Sequence, residues 1–342
     1  MSEITKIEWC DSTVNFWRVC TEVSPGCAHC YARERERRFR GPGTWGRGVP
    51  RIWHESAVKL AHRMNRKPWV CNRCGRSFTD ANKGAHFCND GYQVYVTDEA
   101  GFGFHRRRIF TESLGDWLDP EVPIEWLARM LDTIRQCDQV RWLLLTKRTE
   151  QWFPRIADAL DFAEWITKED PHEHEPKTDL GYWLNEWIAG NPPANIAIGT
   201  SVEDQERDHR IADLLRIPAR WRFLSLEPLL GPVDLTPWIV RPKNHRVTPP
   251  RPICDPQLHW LIIGGESGPK ARPCNVEWVR SLVRQGRDAG VPVFVKQLGA
   301  NVDTVQQWGL ARAVLKHPSG GDPAEWPEDL RVREQPDWEA WR

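Results

Sequence analysis

The sequence lacks a long apolar run, an excess of charge of either sign and a recognisable N-terminal leader. Lys plus Arg number 47 and Asp plus Glu number 47 among 342 residues, so the formal net charge is zero. This balance argues against a basic protein that simply coats nucleic acid. No stretch approaches the ~18 apolar residues of a transmembrane helix. The first residues, MSEITKIEWCDSTVNFW, have neither a signal-peptide core nor a transit-peptide composition. We therefore expect a cytoplasmic protein with no membrane partner.

Cysteine and tryptophan, in contrast, are frequent, with 10 and 20 residues. Ten cysteines in a chain of this length are too sparse for a small disulfide-stabilised protein. In a reducing cytoplasm, clustered cysteines bind metals more often than they form disulfides. The spacing of the cysteines therefore decides how they are interpreted.

Short apolar runs alternate along the chain with segments that carry apolar residues at helical spacing. The apolar runs are Thr13–Val19, Arg108–Thr111, Trp142–Thr146, Asn195–Gly199, Arg222–Leu226, Trp260–Gly264 and Pro292–Val295. The helix-like segments include residues 123–136, 204–215 and 276–289. Such alternation predicts an α/β protein with a parallel sheet. About seven strand–helix units favour a partial (β/α) barrel over a small open sheet.

Several segments interrupt this alternation. Residues 69–95 contain a local group of cysteines, residues 166–193 are polar and predict a surface excursion, and residues 242–256 are rich in proline and predict a loop. The periodicity weakens after about residue 300. The predicted organisation is a barrel over residues 1–300, a small Cys-rich insertion over residues 69–95 and a C-terminal appendage over residues 301–342.

Cys20, Cys27 and Cys30 form the first group, with the spacing C-x6-C-x2-C. A Ser-Pro-Gly turn precedes Cys27, and residues Tyr31–Phe39 predict a helix that begins after the third cysteine. Three thiolates from one loop can bind three irons of a [4Fe–4S] cluster and leave the fourth iron open to an exchangeable ligand. A zinc knuckle or unrelated buried cysteines are the alternatives. Because the loop follows the first strand, it would lie at the C-terminal mouth of the barrel, where barrel active sites are built.

Cys71 and Cys74 form a CxxC knuckle, and His86 and Cys88 follow in the segment AHFCND. With His86 or Asp90 as the fourth ligand, these residues predict a zinc site like that of a zinc ribbon. Zinc would fold a small insertion that has no core of its own. A second iron–sulfur centre and a site without metal are the alternatives.

Polar residues follow almost every predicted strand, and a barrel brings such residues together at one face. They include Thr111, Glu112, Ser113, Asp116, Thr146, Lys147, Arg148, Thr200, Ser201, Glu203, Asp204, Glu227, Gly264, Gly265, Glu266, Ser267, Lys296 and Gln297. Any one of them can instead cap a helix or lie in a solvated loop. Ser201, followed by Glu203 and Asp204 ahead of a helical segment, is an example of a plausible cap.

Seven blocks of the sequence resemble, in the same order, a family of radical-SAM-like proteins found in phages and prophages. The blocks are TKIEWCDSTVNFWRVCTEVSPGCAHCYA, RIFTESLGDWLDPEVP, LLLTKR, IGTSVEDQ, FLSLEPLLGPVDL, WLIIGGESGPKARP and VPVFVKQLG. The resemblance covers most of residues 4–300 and is specific because independent blocks recur in order. In the wider radical S-adenosylmethionine superfamily the usual spacing is C-x3-C-x2-C, with an aromatic residue before the third cysteine. Here the first gap is longer, and His29 takes the aromatic position.

This resemblance implies a [4Fe–4S] cluster on Cys20, Cys27 and Cys30, bound S-adenosylmethionine and an external reductant. In that superfamily the cluster iron chelates the amino and carboxylate groups of the cofactor, and electron transfer cleaves its sulfonium. Relatives in phages with hypermodified thymine are associated with a radical isomerisation of a glycine-bearing thymine in DNA. There the attachment of the amino acid moves from nitrogen to carbon.

The groups of S-adenosylmethionine need acids or carbonyls for the ammonium, a cation for the carboxylate and an acceptor for the ribose. Gly264-Gly265-Glu266 resembles the Gly-Gly-Glu motif of the superfamily. The predicted cofactor-binding residues are His29, Glu112, Ser113, Ser201, Gly264, Gly265 and Glu266. The predicted catalytic contacts, to substrate or cofactor, come from Lys147, Glu203, Glu227 and Lys296.

Two basic segments are candidates for contact with phosphates. The first contains Arg33, Arg35, Arg37, Arg38 and Arg40, and the second is His105-Arg106-Arg107-Arg108. Glutamates alternate with the first set of arginines, so a solvated helix face with ion pairs is the alternative. The nearby tryptophans Trp17, Trp45, Trp53, Trp69 and Trp117 can stack on bases or pack in the core.

The leading hypothesis is therefore a radical enzyme that isomerises a glycine-modified thymine, with DNA or a modified nucleotide as its substrate. A duplex base would have to be flipped to reach a barrel pocket. Repair or another modification of nucleic acid is a related alternative. A zinc-dependent nucleic-acid-binding phage protein, in which all cysteines are structural, is the non-enzymatic alternative. In each case the host cytoplasm is the expected location of a phage-encoded protein.

Overall fold

A computed structural model describes residues 2–79, 86–88, 93–94, 103–169, 180–239, 257–303 and 315–337. The strands are β1 (Ser12–Val14), β2 (Trp17–Arg18), β3 (Ile52–Trp53), β4 (Trp69–Cys71), β5 (Ser77–Phe78), β6 (His86–Phe87), β7 (Gln93–Val94), β8 (Phe104–Arg106), β9 (Arg108–Thr111), β10 (Arg141–Thr146), β11 (Ile196–Ser201), β12 (Trp221–Leu226), β13 (Trp260–Gly264), β14 (Cys274–Asn275), β15 (Val293–Gln297) and β16 (Val302–Asp303). The helices are α1 (Tyr31–Arg40), α2 (Glu55–Asn65), α3 (Ile124–Gln136), α4 (Trp152–Glu169), α5 (Leu180–Ile188), α6 (His209–Arg216), α7 (Thr236–Ile239) and α8 (Val276–Ala289).

The main sheet has seven strands in the order β1-β9-β10-β11-β12-β13-β15, and every neighbouring pair is parallel. The sheet is curled into a half-barrel. Each of its strands overlaps one of the seven apolar runs, so the predicted α/β class and parallel sheet are confirmed. The first run is divided, because its end forms the short strand β2, which pairs antiparallel with β3. Ser201 and Lys296, predicted to follow strands, lie within β11 and β15.

Helices cover the convex face of the sheet because their apolar residues recur at helical spacing. In α3, for example, Leu127, Met130, Leu131 and Ile134 are all fully buried. Helix α8 shows how the sequence sets the ends of a helix. The Asn275 side chain accepts a hydrogen bond from the backbone N–H of Glu277 at 2.8 Å, and Gly290 ends the helix in the left-handed conformation.

The concave face has an aromatic floor and a polar rim. Trp9, Phe110, Phe223, Trp260 and Phe294 form the floor. Successive side chains alternate between the two faces of a strand, so Lys296, two positions after Phe294, and Glu227, four positions after Phe223, reach the rim on the same face. The floor requires Gly199, because a Cβ atom there would lie 2.5 Å from the ring of Phe223.

Residues 315–337 are not a separate appendage, which differs from the expectation for the C-terminal region. Val295 donates its backbone N–H to Val332 and Glu334 donates to Val293, both at 2.8 Å, so this segment pairs antiparallel with β15. Trp326, Leu330 and Val332 are buried in the main core. The segment therefore covers the outer edge of the half-barrel.

The Cys-rich insertion has its own small antiparallel sheet, in which β4 pairs with β5 and β8. The predicted excursion, residues 166–193, begins inside α4 and contains the whole of α5, in which Leu184 and Trp187 are buried. Its residues 170–179 lie outside the described ranges. The predicted loop over residues 242–256 also lies outside them. Among the helices of the described residues, none has the length and apolar character to cross a membrane.

Candidate functional site

A cavity of about 560 Å³ opens on the concave face, at the carboxyl ends of the parallel strands. Most of the predicted site residues line it: Cys20, Cys27, His29, Cys30, Glu112, Ser113, Lys147, Ser201, Glu227, Gly265, Glu266 and Lys296. The predicted residues Glu203 and Gly264 do not line it. The half-barrel thus gathers the cysteine loop and the strand-end polar residues around one space, as ligand sites of parallel α/β sheets require.

The cysteine loop, residues 20–30, runs along one wall of this cavity. A short 3₁₀ turn spans Pro25–Cys27, and Cys30 directly precedes α1. The predicted helix at this position is confirmed. Within the described residues, the loop cysteines do not form a group whose ligand atoms all lie within 4.8 Å of one another. One zinc ion with Zn–S bonds of about 2.3 Å needs sulfurs about 4 Å apart, so the loop is not arranged around a single ion.

Arg148 fixes the first cysteine of the loop. Its Nη1 lies 3.5 Å from the Cys20 sulfur, and its Nη2 donates to the carbonyl of Thr21 at 2.6 Å. Asp116 accepts from the same guanidinium at 2.8 Å. Burial raises the pKa of Cys20, and so does Asp116, whereas Arg148 acts in the opposite direction.

Glu203 fixes the middle of the loop from below. Its side chain is fully buried, accepts from the Ser24 hydroxyl at 2.7 Å and pairs with Arg210 at 2.9 Å. Gly26 is required here, because a Cβ atom would lie 2.3 Å from the Glu203 carboxylate. Glu203 was predicted to contact the substrate or cofactor, but its position makes it a support of the cysteine loop.

Glu266 fixes the loop from the other side. Arg272 donates to both of its carboxylate oxygens and also to the carbonyl of Pro25 at 2.9 Å. His29 Nδ1 lies 2.9 Å from the same carboxylate. Burial opposes ionisation of Glu266, but the hydrogen bonds from Arg272 and His29 lower its pKa to about 2. Glu266 is therefore a carboxylate that is already paired within the protein.

Two lysines bring positive charge to the cavity. Lys296 pairs with Glu227 at 2.5 Å, and Lys147 donates to the Ser201 hydroxyl at 3.0 Å. Lys147 also lies 3.7 Å from Glu203. The cap predicted as an alternative for Ser201 is not formed, because Ser201 is a buried strand residue bonded to Lys147. The cavity therefore offers both ammonium and carboxylate groups to a ligand.

Glu112 is the most unusual group of the wall. It is 2% exposed and has a left-handed backbone with φ of 61°. One carboxyl oxygen accepts from the backbone N–H of Phe16 at 2.5 Å, while the other has no hydrogen-bond partner within the described part of the chain. Burial raises the pKa of Glu112 well above its ordinary value. Strained and unsatisfied groups of this kind are typical of functional sites.

The second cysteine group lies in the insertion and is compact. The ligand atoms of Cys71, Cys74, His86 and Cys88 all lie within 4.8 Å of one another. The sulfurs of Cys71 and Cys88 are 3.8 Å apart, and the Cys74 sulfur lies 3.0 Å from His86 Nε2. Backbone N–H groups lower the pKa of Cys71 against the effect of its burial. This Cys3His group can bind a metal ion such as zinc; the alternative ligand Asp90 lies outside the described residues.

The two basic segments have opposite environments. In α1, Arg35, Arg37 and Arg38 are exposed, whereas Arg107 and Arg108 are 1% and 6% exposed. Arg107 donates to Ser12 at 2.7 Å. Arg108 pairs with Asp11. The interpretation of the second segment as a phosphate-binding surface is therefore wrong for these two arginines, since their guanidinium groups are used inside the protein.

The tryptophans near these segments also differ in their environments. Trp17 and Trp117 are fully buried, which fits core packing, and Trp53 packs against the same core. The Trp69 ring lies under Arg106, with 5.0 Å between the ring centroid and the guanidinium carbon. Trp45 lines the cavity, so it alone among these five tryptophans lies at that site.

Arg148 is among the polar residues predicted at the strand ends, whereas Arg210 and Arg272 carry no prediction from the sequence, yet all three hold the cysteine loop. The sequence blocks LLLTKR and WLIIGGESGPKARP contain the first and the last of them. Although Arg210 and Arg272 pair with carboxylates a few positions away, the cysteine loop itself lies far away in sequence, so no local spacing shows that these arginines support it.

Residues 4–320 match the model of a family described as a protein of unknown function, DUF5131, and the chain belongs to this family. No curated protein and no solved structure matches the chain.

Proposed function

We propose that this member of the DUF5131 family is a radical S-adenosylmethionine enzyme that modifies phage DNA. The observation that carries the proposal is the cysteine loop on the cavity wall, at the carboxyl ends of a parallel half-barrel. Its specific reaction would be the isomerisation of N-linked to C-linked glycinyl-thymidine, a step of thymidine hypermodification that protects viral DNA from host restriction. The resemblance of the seven sequence blocks supports this choice of substrate.

The residues present fit a [4Fe–4S] cluster better than a single metal ion. Three thiols from one loop face the cavity without the close spacing found in the insertion. Cys20, Cys27 and Cys30 would hold the cluster, and an external reductant would supply the electron. When bound, the cluster and S-adenosylmethionine would supply an organic radical that abstracts hydrogen from the substrate.

The chain's own groups would bind and orient the ligands. Lys147 and Lys296 offer cations for carboxylate or phosphate groups, and Glu227 offers a carboxylate for an ammonium or hydroxyl group. Glu112, whose protonated form is favoured by burial, would donate a hydrogen bond to an acceptor atom. The aromatic floor closes the cavity below and excludes water from a reactive intermediate.

DNA is the proposed partner. Helix α1 presents exposed arginines directly after the cysteine loop, and Trp45 lines the cavity. Such arginines would contact phosphates, and the indole would stack on a base that has left the helix. The host cytoplasm would be the location of this reaction.

Anaerobic purification tests the radical chemistry. We expect a brown protein with about four irons in the cluster and reductive cleavage of S-adenosylmethionine. Cys27→Ala should abolish this cleavage. A colourless protein that contains only zinc would contradict the proposal.

Incubation with DNA that contains glycine-modified thymidine tests the substrate. We expect a product of unchanged mass that separates from the starting nucleoside by chromatography. If cofactor cleavage occurs but no isomer forms, another modification or a repair reaction of nucleic acid becomes the better candidate.

The Cys3His group favours one further candidate function. It is compatible with a zinc-dependent nucleic-acid-binding protein without catalytic activity. Nucleic-acid binding by a protein that holds zinc but takes up no iron would support this candidate.

A further inference from the structure

We propose that Arg148 sets the reduction potential of the cluster bound by the cysteine loop, by donating a charged hydrogen bond to the Cys20 sulfur. This inference rests on the proposed function, because it requires the cluster. It gives a role to a residue whose contact with the loop cannot be read from the sequence. Arg148 is a positioning residue in this proposal, since it acts through a cluster ligand.

The guanidinium of Arg148 is held in place from three directions. Nη1 lies 3.5 Å from the Cys20 sulfur, Nη2 donates to the carbonyl of Thr21 at 2.6 Å, and Asp116 accepts at 2.8 Å. Arg148 is 4% exposed, so water does not compete for these contacts. The orientation of the donor toward the sulfur is therefore built into the fold.

Asp116 is in turn fixed by its own donors. It accepts from the Thr146 hydroxyl at 2.7 Å and from the backbone N–H of Lys147 at 3.0 Å. Both donors lie at the end of β10, directly before Arg148 in the chain. The carboxylate therefore orients Arg148 and does not need to move when the loop binds a ligand.

The arginine contact distinguishes Cys20 from its neighbour in the loop. The Cys27 sulfur lies 3.9 Å from the uncharged hydroxyl of Ser24. A full charge beside one thiolate polarises that side of a cluster, whereas a hydroxyl donor is weaker. The effect of Arg148 should therefore depend on Cys20 alone.

The direction of the effect follows from electrostatics. Hydrogen bonds to the sulfur ligands and nearby net charge both set the reduction potential of an iron–sulfur cluster. An added electron is stabilised by a positive group close to the sulfur, so Arg148 raises the potential. The expected effect of Arg148 is about tenfold in the reduction equilibrium, or about 59 mV for one electron.

Redox titration of the reconstituted holoprotein, followed by electron paramagnetic resonance, tests the inference. We expect R148M to favour the oxidised cluster about tenfold relative to wild type, a shift of about 59 mV to more negative potential. R148K keeps the positive charge but lacks the planar guanidinium group, so the shift in its reduction potential should be smaller. R107M is the matched control: Arg107 is also buried, but it donates to Ser12 at the start of β1 and does not line the cavity, so the potential of this variant should equal that of wild type.

A full complement of iron in R148M with the wild-type potential would overturn the inference and leave the proposed function intact. If R148M loses its cluster, R148K decides: a potential equal to those of wild type and R107M would also overturn the inference. A wild-type protein that takes up no iron would contradict the inference together with the proposed function.

Discussion

The two cysteine groups of this protein use the same ligand in different ways. In the insertion, the ligand atoms of Cys71, Cys74, His86 and Cys88 lie within 4.8 Å of one another. In the cysteine loop, the thiols are spread along a cavity wall, and three arginine–carboxylate pairs, two of them buried and one half-buried, hold the loop in place.

This difference shows how the surroundings distinguish a compact group of metal ligands from cysteines spread beside a cavity. A compact group surrounds one ion and leaves no room for a ligand, which is typical of structural zinc. A spread group beside a cavity can hold a larger cofactor and still leave it accessible. Burial of ion pairs under the loop costs desolvation energy, and the benefit is a fixed position of the thiols relative to the cavity.

The largest expected effect is a loss of iron without a loss of zinc. Cys27→Ala should abolish iron binding and the cleavage of S-adenosylmethionine, because a cluster needs all three loop thiolates. Zinc bound by the insertion should remain. Metal analysis of the anaerobically reconstituted protein measures both. Loss of zinc together with iron would show that the two groups are not independent.

The reciprocal change should affect only the insertion. Cys74→Ala should remove zinc, since three remaining ligands bind it poorly, and should unfold the segment that depends on it. Iron content and cofactor cleavage should persist. Limited proteolysis and metal analysis provide the readouts. Removing zinc from the wild-type protein with a chelator should give the same pattern of proteolytic fragments. Loss of iron in this variant would place the insertion in the cluster site.

A smaller effect concerns the support of the loop. Glu203→Gln breaks a fully buried pair with Arg210, so the free energy of unfolding should fall by about 4 kcal/mol. Glu206→Gln is the matched control, because Glu206 is 83% exposed and pairs with Arg207 at the surface. Chemical denaturation of both variants measures the effect. Equal stabilities would mean that Glu203 does not support the loop.

The loop should also respond to acid through Glu266. Its pKa is lowered from 4.5 to about 2 in the folded protein, so its contribution is present above pH 4.5 and is lost as the pH falls toward 2. The contribution is about 3 kcal/mol at most. The free energy of unfolding of the Glu266→Gln variant should therefore fall less than that of wild type between pH 4.5 and about 2. Chemical denaturation of both proteins across this pH range measures the difference in the free energy of unfolding. An equal fall in both proteins would contradict the assignment.

The smallest effect is expected at the basic segments. Replacing Arg37 or Arg38 by Ala should weaken DNA binding and reduce the salt dependence of log K by about one for each phosphate contact. Arg107→Ala should instead lower stability, because its guanidinium is buried. Fluorescence anisotropy over a range of salt concentrations compares the variants. An unchanged salt dependence in the α1 variants would exclude this helix as a phosphate contact.

The architecture of the half-barrel can be predicted from the sequence because its signals are local. Each sheet strand is a short apolar run, and helices such as α3 and α8 show a helical spacing of buried residues. The rule that strand ends form sites then selects the cavity-lining residues, including Lys147, Glu227 and Lys296. The four ligands of the insertion are equally local.

The environment of individual charges cannot be predicted in this way. Glu203 and Glu227 follow neighbouring strands and have the same side chain, yet one is buried under the loop and the other lines the cavity. Arg108 has the same local signal as a surface arginine, but Asp11 from the adjacent strand region pairs with it. Such differences depend on contacts between distant segments, which neither spacing nor composition encodes.

The segment along β15 also has a consequence for synthesis. Val332 and Glu334 pair with this strand but leave the ribosome well after it, so the last strand is made before its cover. During that interval an open row of backbone donors and acceptors can pair with another chain. Once residue 334 has been synthesised, the segment can cover the edge of β15, and this aggregation risk ends. A chain truncated before Val332 would leave that edge open permanently.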